Sequence, residues 1–421
     1  MGLGSKFFGT AGIMLLNRGL ILIAGIVFAR YLGPENYGLY SFVLGVITIA
    51  TLPAIAGVST LIVRQIAYYQ LENKFSLLLG IINWSRFYVL AVSLLMFIIM
   101  LFLLYFRVFD DSVTSLLWGA IFLIPIKGLL IQQSSILNGF RQPVKSQTPI
   151  QIIVPATTLL TLIPFFLLEF KIDGGLLIRI LLFSTVLALI FSTVFVREAK
   201  KGVINSTNPE YEAKKWNSAL LPFMMITLVA TLNTELVSVL LGFIDSSESV
   251  AYFKVAMQAV SFIALSVTSI NIVIMPDVAR LFKSGDKERT QLLLTKSVRL
   301  IAAISLPIII ALILFGEIAI GFLFGDEYLE AYPILVVLCI GQLANVLMGS
   351  VGLVMSMTGK EKQSLKLLSF TLILNVILFS ILVPKFGAFG AAISVSVSVI
   401  ILNVLMAQAI YRSEKLITWI R

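Results

Sequence analysis

Four charged side chains stand where charge is expensive. Arg18, Arg86 and Lys127 fall inside long apolar runs of the first half, and Glu235 falls inside one of the second. A basic side chain at mid-bilayer costs about 2.5–3.5 kcal/mol on the insertion scale, so residues of this kind are functional candidates by default. Lys127 is the deepest, with roughly ten residues (about 15 Å) of helix on either side. Ser134 and Asn138 follow it at i+7 and i+11 and return to its face. Asn83 and Ser93 flank Arg86 at i−3 and i+7 in the same way. Arg18 and Arg86 sit nearer the inner ends of their runs, where long side chains also snorkel to lipid phosphates.

Glu235 lies beside Thr227, Thr231, Thr234 and Ser238. A partly desolvated carboxylate can exchange a proton or bind a cation, which makes Glu235 the candidate ion-coupling group, with H+ or Na+ left open. Gln258, Ser261 and Thr268 form a second polar stripe, and Gln342, Asn345, Gly349 and Ser356 a third. Such stripes also serve as plain helix-packing contacts, although large amides are harder to bury than hydroxyls. Three cations against one carboxylate make a basic chamber, in which charge acts strongly at low dielectric. That balance suits an anion, a phosphate or an acidic sugar. The expected binding set is Arg18, Arg86 and Lys127, with Gln342 and Asn345 meeting a polar head group.

Other chemistry lacks its parts. The chain has no His, which excludes a His base, a His relay and His-ligated zinc. No span pairs two carboxylates, and no Gly-rich phosphate loop with Lys and Ser/Thr is present. No cofactor, metal site or catalytic residue is expected. The single Cys339 leaves no intramolecular disulfide.

The elements that must carry these residues are apolar helices. Of 421 residues, 59% are hydrophobic and 12% charged, half the charge of an ordinary soluble domain. Mean hydropathy is +1.03. A helical span needs about 20 mainly apolar residues. The runs predict about twelve, near 9–31, 39–63, 77–106, 115–137, 149–169, 175–196, 218–243, 251–275, 298–324, 331–357, 364–383 and 388–411. The N-terminal stretch shows no cleavage site of the Ala-x-Ala kind, so no removed signal peptide is expected. Of the 31 basic residues, 22 fall in loops of one side and six on the other: Arg30, Arg107, Lys171, Arg179, Lys254 and Lys385. The loops are short, so the positive-inside rule applies and both termini are expected in the cytoplasm. The net charge of +10 then reflects orientation and anionic lipid rather than nucleic acid.

The halves also repeat. Gly139 and Gly359, Lys171 and Lys385, and Arg197 and Arg412 pair at offsets of 220, 214 and 215. A six-helix unit used twice in one orientation is predicted, with cargo near mid-membrane. The expected organisation is an N-terminal lobe over 1–200, a cytoplasmic linker over 201–217 and a C-terminal lobe over 218–421.

The stretch ARYLGPENYGLYSF (29–42), with Gly57 and Arg64 downstream, resembles the first helix pair of polysaccharide (O-antigen type) flippases, within the multidrug/oligosaccharidyl-lipid/polysaccharide exporter superfamily. GDEYLEA (325–331) and LVPKFGAFGAAIS (382–394) resemble it too. The resemblance covers nearly the whole chain, and its motifs are Gly/Pro turns. It implies two six-helix lobes in a V, alternating access, and an undecaprenyl-diphosphate-linked oligosaccharide flipped to the outer leaflet of a bacterial or archaeal cytoplasmic membrane for surface polysaccharide synthesis. Membrane lipids and other polysaccharide-assembly membrane proteins are the implied partners. Two other functions compete. An ion-coupled multidrug exporter would carry lumen acids where this chain has Arg18, Arg86 and Lys127. A polysaccharide polymerase or ligase would carry a long outer loop, and the longest loop here, 197–217, is on the inner side.

Overall fold

The structure, a computed structural model, describes residues 3–168, 170, 172–201 and 208–420, with side chains described from residue 12 onward except at 222, 226, 234, 272, 276, 279 and 283. Lys171 and Arg421 lie outside the described residues, as do the side chains of Lys6, Thr234 and Lys283 and residues 202–207 of the expected linker.

Every regular element among the described residues is helical: α1 Leu3–Ile55, α2 Val58–Leu71, α3 Phe75–Tyr105, α4 Asp111–Ala120, α5 Leu123–Gly139, α6 Pro143–Thr148, α7 Val154–Leu167, α8 Gly174–Lys201, α9 Ala213–Ile244, α10 Ser247–Lys283, α11 Lys287–Phe324, α12 Ala331–Met348, α13 Val351–Met357 and α14 Glu361–Glu414. Nine helical stretches among the described residues are long and apolar enough to cross a membrane, and the pair α4/α5, bent by 42°, makes a tenth. Two of the ten have double length, Gly12–Leu71 with 60 residues and Glu361–Glu414 with 54. At about 1.5 Å per residue each is long enough for two crossings, which matches the twelve predicted segments. The chain is an all-α, multi-pass membrane protein.

The breaks have local causes. α1 is interrupted at Gly33 (φ 70, ψ 170) and α14 at Gly387 (φ 52, ψ −137), conformations open to glycine and costly for other residues. Both lie in the Gly/Pro turns of the family resemblance. The α4/α5 bend precedes Pro125, whose ring disfavours continuing the turn before it. Between α6 and α7 the helix widens into one π turn, Pro149–Ile153. The predicted span 331–357 is not continuous: Gly349 (φ 69, ψ −150) separates α12 from α13.

The chain forms two compact units, residues 1–32 with 39–231, and residues 33–38 with 232–421. The division thus falls within α9 and not in the 201–217 loop, because the start of α9 is anchored in the first unit. Trp216, fully buried, donates its indole N–H to the Tyr69 hydroxyl of α2 at 2.9 Å. A Cβ at Gly57 would stand 2.4 Å from the Met224 nitrogen, so α9 reaches α2 only because that residue is glycine. Leu61, Ile62, Ile66, Leu78 and Ile81 complete the core around them.

Candidate functional site

In the first unit Arg18 is exposed on α1, Arg86 is exposed on α3 and Lys127 is half-buried on α5. Three contacts hold their helices. Beside Arg18, Asn17 donates from Nδ2 to the carbonyl of Gln151 in the π turn at 2.7 Å. Beside Arg86, Ser85 Oγ accepts from Gln132 Nε2 of α5 at 2.9 Å. Beside Lys127, Gly128 lies against α3: a Cβ there would stand 2.7 Å from Ser93 Oγ. Ser93 is seven residues along α3 from Arg86. The two cations are therefore staggered by about 10 Å along neighbouring helices rather than gathered at one point. Lys127 also carries a polar or charge interaction of its own.

The polar face predicted around Lys127 is partly used by the fold. Ser134 Oγ meets Ser146 Oγ of α6 at 2.8 Å, and Gln133 Nε2 donates to Thr193 Oγ1 of α8 at 3.0 Å. Gln132 and Gln133, two amides in the middle of an apolar run, are not among the residues expected from sequence, although large amides in such a run are a signal that marks them. Lys200, expected in a cytoplasmic loop, is half-buried on the last turn of α8.

In the second unit Glu235 is paired. Lys254 Nζ of α10 lies 3.7 Å from its Oε2, and both side chains are about one-third exposed. The buried acid read from sequence is thus half of an ion pair, and Lys254, assigned to an outer loop, lies two turns inside a helix. Several stripe hydroxyls are satisfied on their own helices: Thr227 donates to Phe223, Ser261 to Gln258, Thr268 to Ala264 and Ser356 to Gly352 carbonyl oxygens. With their donors already used on their own helices, they are poorer candidates for cargo contacts.

Gln342 and Asn345 do come together. Asn345 Nδ2 donates to Gln342 Oε1 at 3.1 Å. Gln342 lines a cavity of about 150 Å³ with Asn233, Phe253, Met257, Gly341 and Ser396. At about 30 Å³ per water molecule this space holds several waters or one small polar group. A wider groove of about 500 Å³ lies in the first unit between α3 and α9, lined by Trp84, Phe87, Tyr88, Leu220, Leu221 and Met224. No group of three His, Cys, Asp or Glu side chains that could hold a metal ion occurs among the described residues.

A family model described as polysaccharide biosynthesis protein matches residues 27–333. The chain is 27% identical over 179 residues to a capsular polysaccharide biosynthesis protein of Staphylococcus aureus, a match covering 42% of this chain and 45% of that relative. It is thus aligned with under half of that protein's length. It is 24% identical over 404 residues to a putative O-antigen transporter of Shigella flexneri, covering 93% and 94% of the two chains. Among solved structures it is similar to the lipid II flippase MurJ in an inward closed conformation, with TM-score 0.72 and 18% identity over 95% of this chain and 87% of that one.

Proposed function

Since this chain belongs to the polysaccharide biosynthesis protein family, we propose that it is a flippase that moves an undecaprenyl-diphosphate-linked oligosaccharide from the cytoplasmic to the outer leaflet of the cytoplasmic membrane, with both termini in the cytoplasm. The observation that carries the anionic cargo is the sign of the intramembrane charge. The first unit's intramembrane charges are Arg18, Arg86 and Lys127, of which Lys127 is half-buried, and the second unit's Glu235 is paired with Lys254. Arg offers a planar fork of donors that matches phosphate oxygens, and Lys adds a point charge. The staggered cations are spaced along helices, which suits handing a diphosphate inward from the leaflet surface. The Gln342–Asn345 amide pair fits a neutral sugar, which needs donors and acceptors and no charge.

A cation-coupled multidrug exporter would need the opposite charge at these positions. Coupling to H+ or Na+ through Glu235 would work by exchange with its Lys254 partner, so that binding one cation frees the other. The deciding experiment is a proteoliposome assay with fluorescent undecaprenyl-diphosphate-oligosaccharide, reading its transfer to the far leaflet. Transfer above empty liposomes is expected. Equal rates with and without protein, with dye export in its place, would overturn the reading.

A further inference from the structure

Residues 415–420 form a strap held against the broken helix of the second unit. The chain leaves α14 through Lys415, which is left-handed (φ 60, ψ 24) and turns it back on the bundle. An ion pair between Lys360 and Glu414 at 2.8 Å, with both side chains about one-fifth exposed, fixes the base of this turn. Gln291 of α11 then grips the strap by its backbone. Its Oε1 accepts from the Ile417 N–H at 2.7 Å and its Nε2 donates to the Ile417 carbonyl at 2.8 Å. Only a primary amide of this length supplies both bonds. Further on, the Ile420 N–H donates to the Leu347 carbonyl at 2.8 Å. Leu347 is in the last turn of α12, where carbonyls lose their helical partners. Thr418 runs so close to the break that a Cβ at Gly349 would stand 2.6 Å from its carbonyl oxygen. Leu416 and Thr418 are buried at 3% and 1% exposure, and Trp419 packs on Tyr411 with ring centroids 5.8 Å apart.

The strap thus does for α12 what a continued helix would have done. It supplies a donor to an end carbonyl and fills the space beside Gly349. The break lies four residues beyond Asn345 and seven beyond Gln342, so the direction of the helix bearing the amide pair depends on how its end is held. We propose that Gln291 and the 415–420 strap are positioning elements that cap the broken end of α12 and set the placement of Gln342 and Asn345. The inference rests on the reading of those two residues as cargo contacts, but the hold on α12 can be measured without cargo.

The test uses the full chain with Thr418→Cys. The Thr418 hydroxyl is buried without a hydrogen-bond partner, so the exchange removes no bond. The one native cysteine, Cys339, is buried and gives the background rate. Maleimide labelling of this cysteine is expected to be slow and to quicken at least tenfold with Gln291→Met. Gln291→Glu keeps the acceptor, loses the donor and should fall between. Hydrogen exchange across 342–350 should quicken by the same order when the strap is released, while exchange in α3 stays unchanged. In the transport assay Gln291→Met should raise the half-saturating substrate concentration several-fold with a smaller change in turnover, and Gln291→Glu should recover part of it. Unchanged labelling would overturn the docking, and unchanged exchange across 342–350 with a released strap would overturn the positioning role. Absence of glycan transport in the wild-type protein would sink the flippase reading and leave the strap to be judged by labelling and exchange alone.

Discussion

Gly341→Ala is the substitution whose consequence the geometry fixes most tightly. At Gly341 the helix bearing the amide pair crosses α14 against Ser396. A Cβ on residue 341 would stand 2.8 Å from both the α-carbon and Oγ of Ser396 and 2.9 Å from its Cβ, where ordinary packing begins at 3.4 Å. One of these atoms is backbone, so a rotamer change does not relieve the clash, and the crossing must open by about 0.6 Å. Overpacking a close crossing costs typically about 1–3 kcal/mol. For a unit of this size each kcal/mol shifts the unfolding midpoint by about 2–4 °C. Thermal unfolding of the purified protein in detergent should therefore show Gly341→Ala lowered by about 2–12 °C. Ser396→Gly removes the clash with Oγ and Cβ but keeps the one with the backbone, and it gives up the hydrogen bond to the Val337 carbonyl at 2.9 Å. The double variant should be less unstable than the sum of the singles, with an interaction energy of about 0.5–3 kcal/mol. Since Gln342 is the next residue, glycan transfer should also fall. An unfolding midpoint within a degree of wild type, or strict additivity in the double variant, would refute the close crossing.

In the first unit Lys127→Ala should abolish most glycan transfer and Arg86→Lys should reduce it in part, because a point charge keeps attraction but loses paired donors; normal export in cells carrying Lys127→Ala would remove the basic chamber. Tyr69→Phe leaves the buried Trp216 indole N–H without its acceptor and should cost about 1–3 kcal/mol in thermal unfolding, whereas adding Trp216→Phe should recover part of that loss. A reporter fused after Lys201 should be cytoplasmic and one after Glu327 external, and a shared location would break the twelve-span order. Glu235→Gln and Lys254→Met should each change the pH or sodium dependence of transport more than the double variant does, because each single change leaves one half-buried charge without its partner; normal transport by Glu235→Gln across pH and sodium would end its coupling role.

Much of the fold was legible because membrane spans announce themselves by composition. Twenty apolar residues have few other uses, and the glycines that break α1 and α14 lie in turn motifs with Pro or Gly neighbours. The break at Gly349 was not legible. No Pro stands beside it, and the strap that packs against it comes from some 70 residues away, where the local pattern does not reveal it. The π turn at Pro149–Ile153 escaped for a similar reason, since the prolines in that span signal irregularity without saying of which kind. Glu235, by contrast, could have been paired from sequence. It is nine residues before the end of α9 and Lys254 is seven after the start of α10. A hairpin of antiparallel helices brings such positions to the same depth, so an acid and a base at matched distances from one turn should be tested as a pair before either is assigned alone.

That pairing changes what the charges of the chain say. A lone acid in the second unit would have competed with the cations for the sign of the cargo. Paired with Lys254, it no longer opposes the sign of the first unit's cations, which on the proposed flippase reading would select the cargo's charge. Under the proposed function the two kinds of residue would meet two parts of one amphiphile. Staggered guanidinium and ammonium groups discriminate by charge and act over several ångströms, so they tolerate a cargo whose glycan differs in length. An amide pair beside a small cavity discriminates by hydrogen bonds and shape, which act only at close range. A transporter built this way would be strict about the diphosphate and adaptable about the sugar, with its glycan preference carried by few residues. Changing Gln342 or Asn345 should therefore alter which oligosaccharides are accepted, while changing Lys127 should reduce the transfer of all of them alike. A competition assay between two lipid-linked glycans reads that ratio directly. A Gln342→Leu variant that lowered both glycans equally would show that the amide pair only packs helices, and specificity would have to be sought elsewhere.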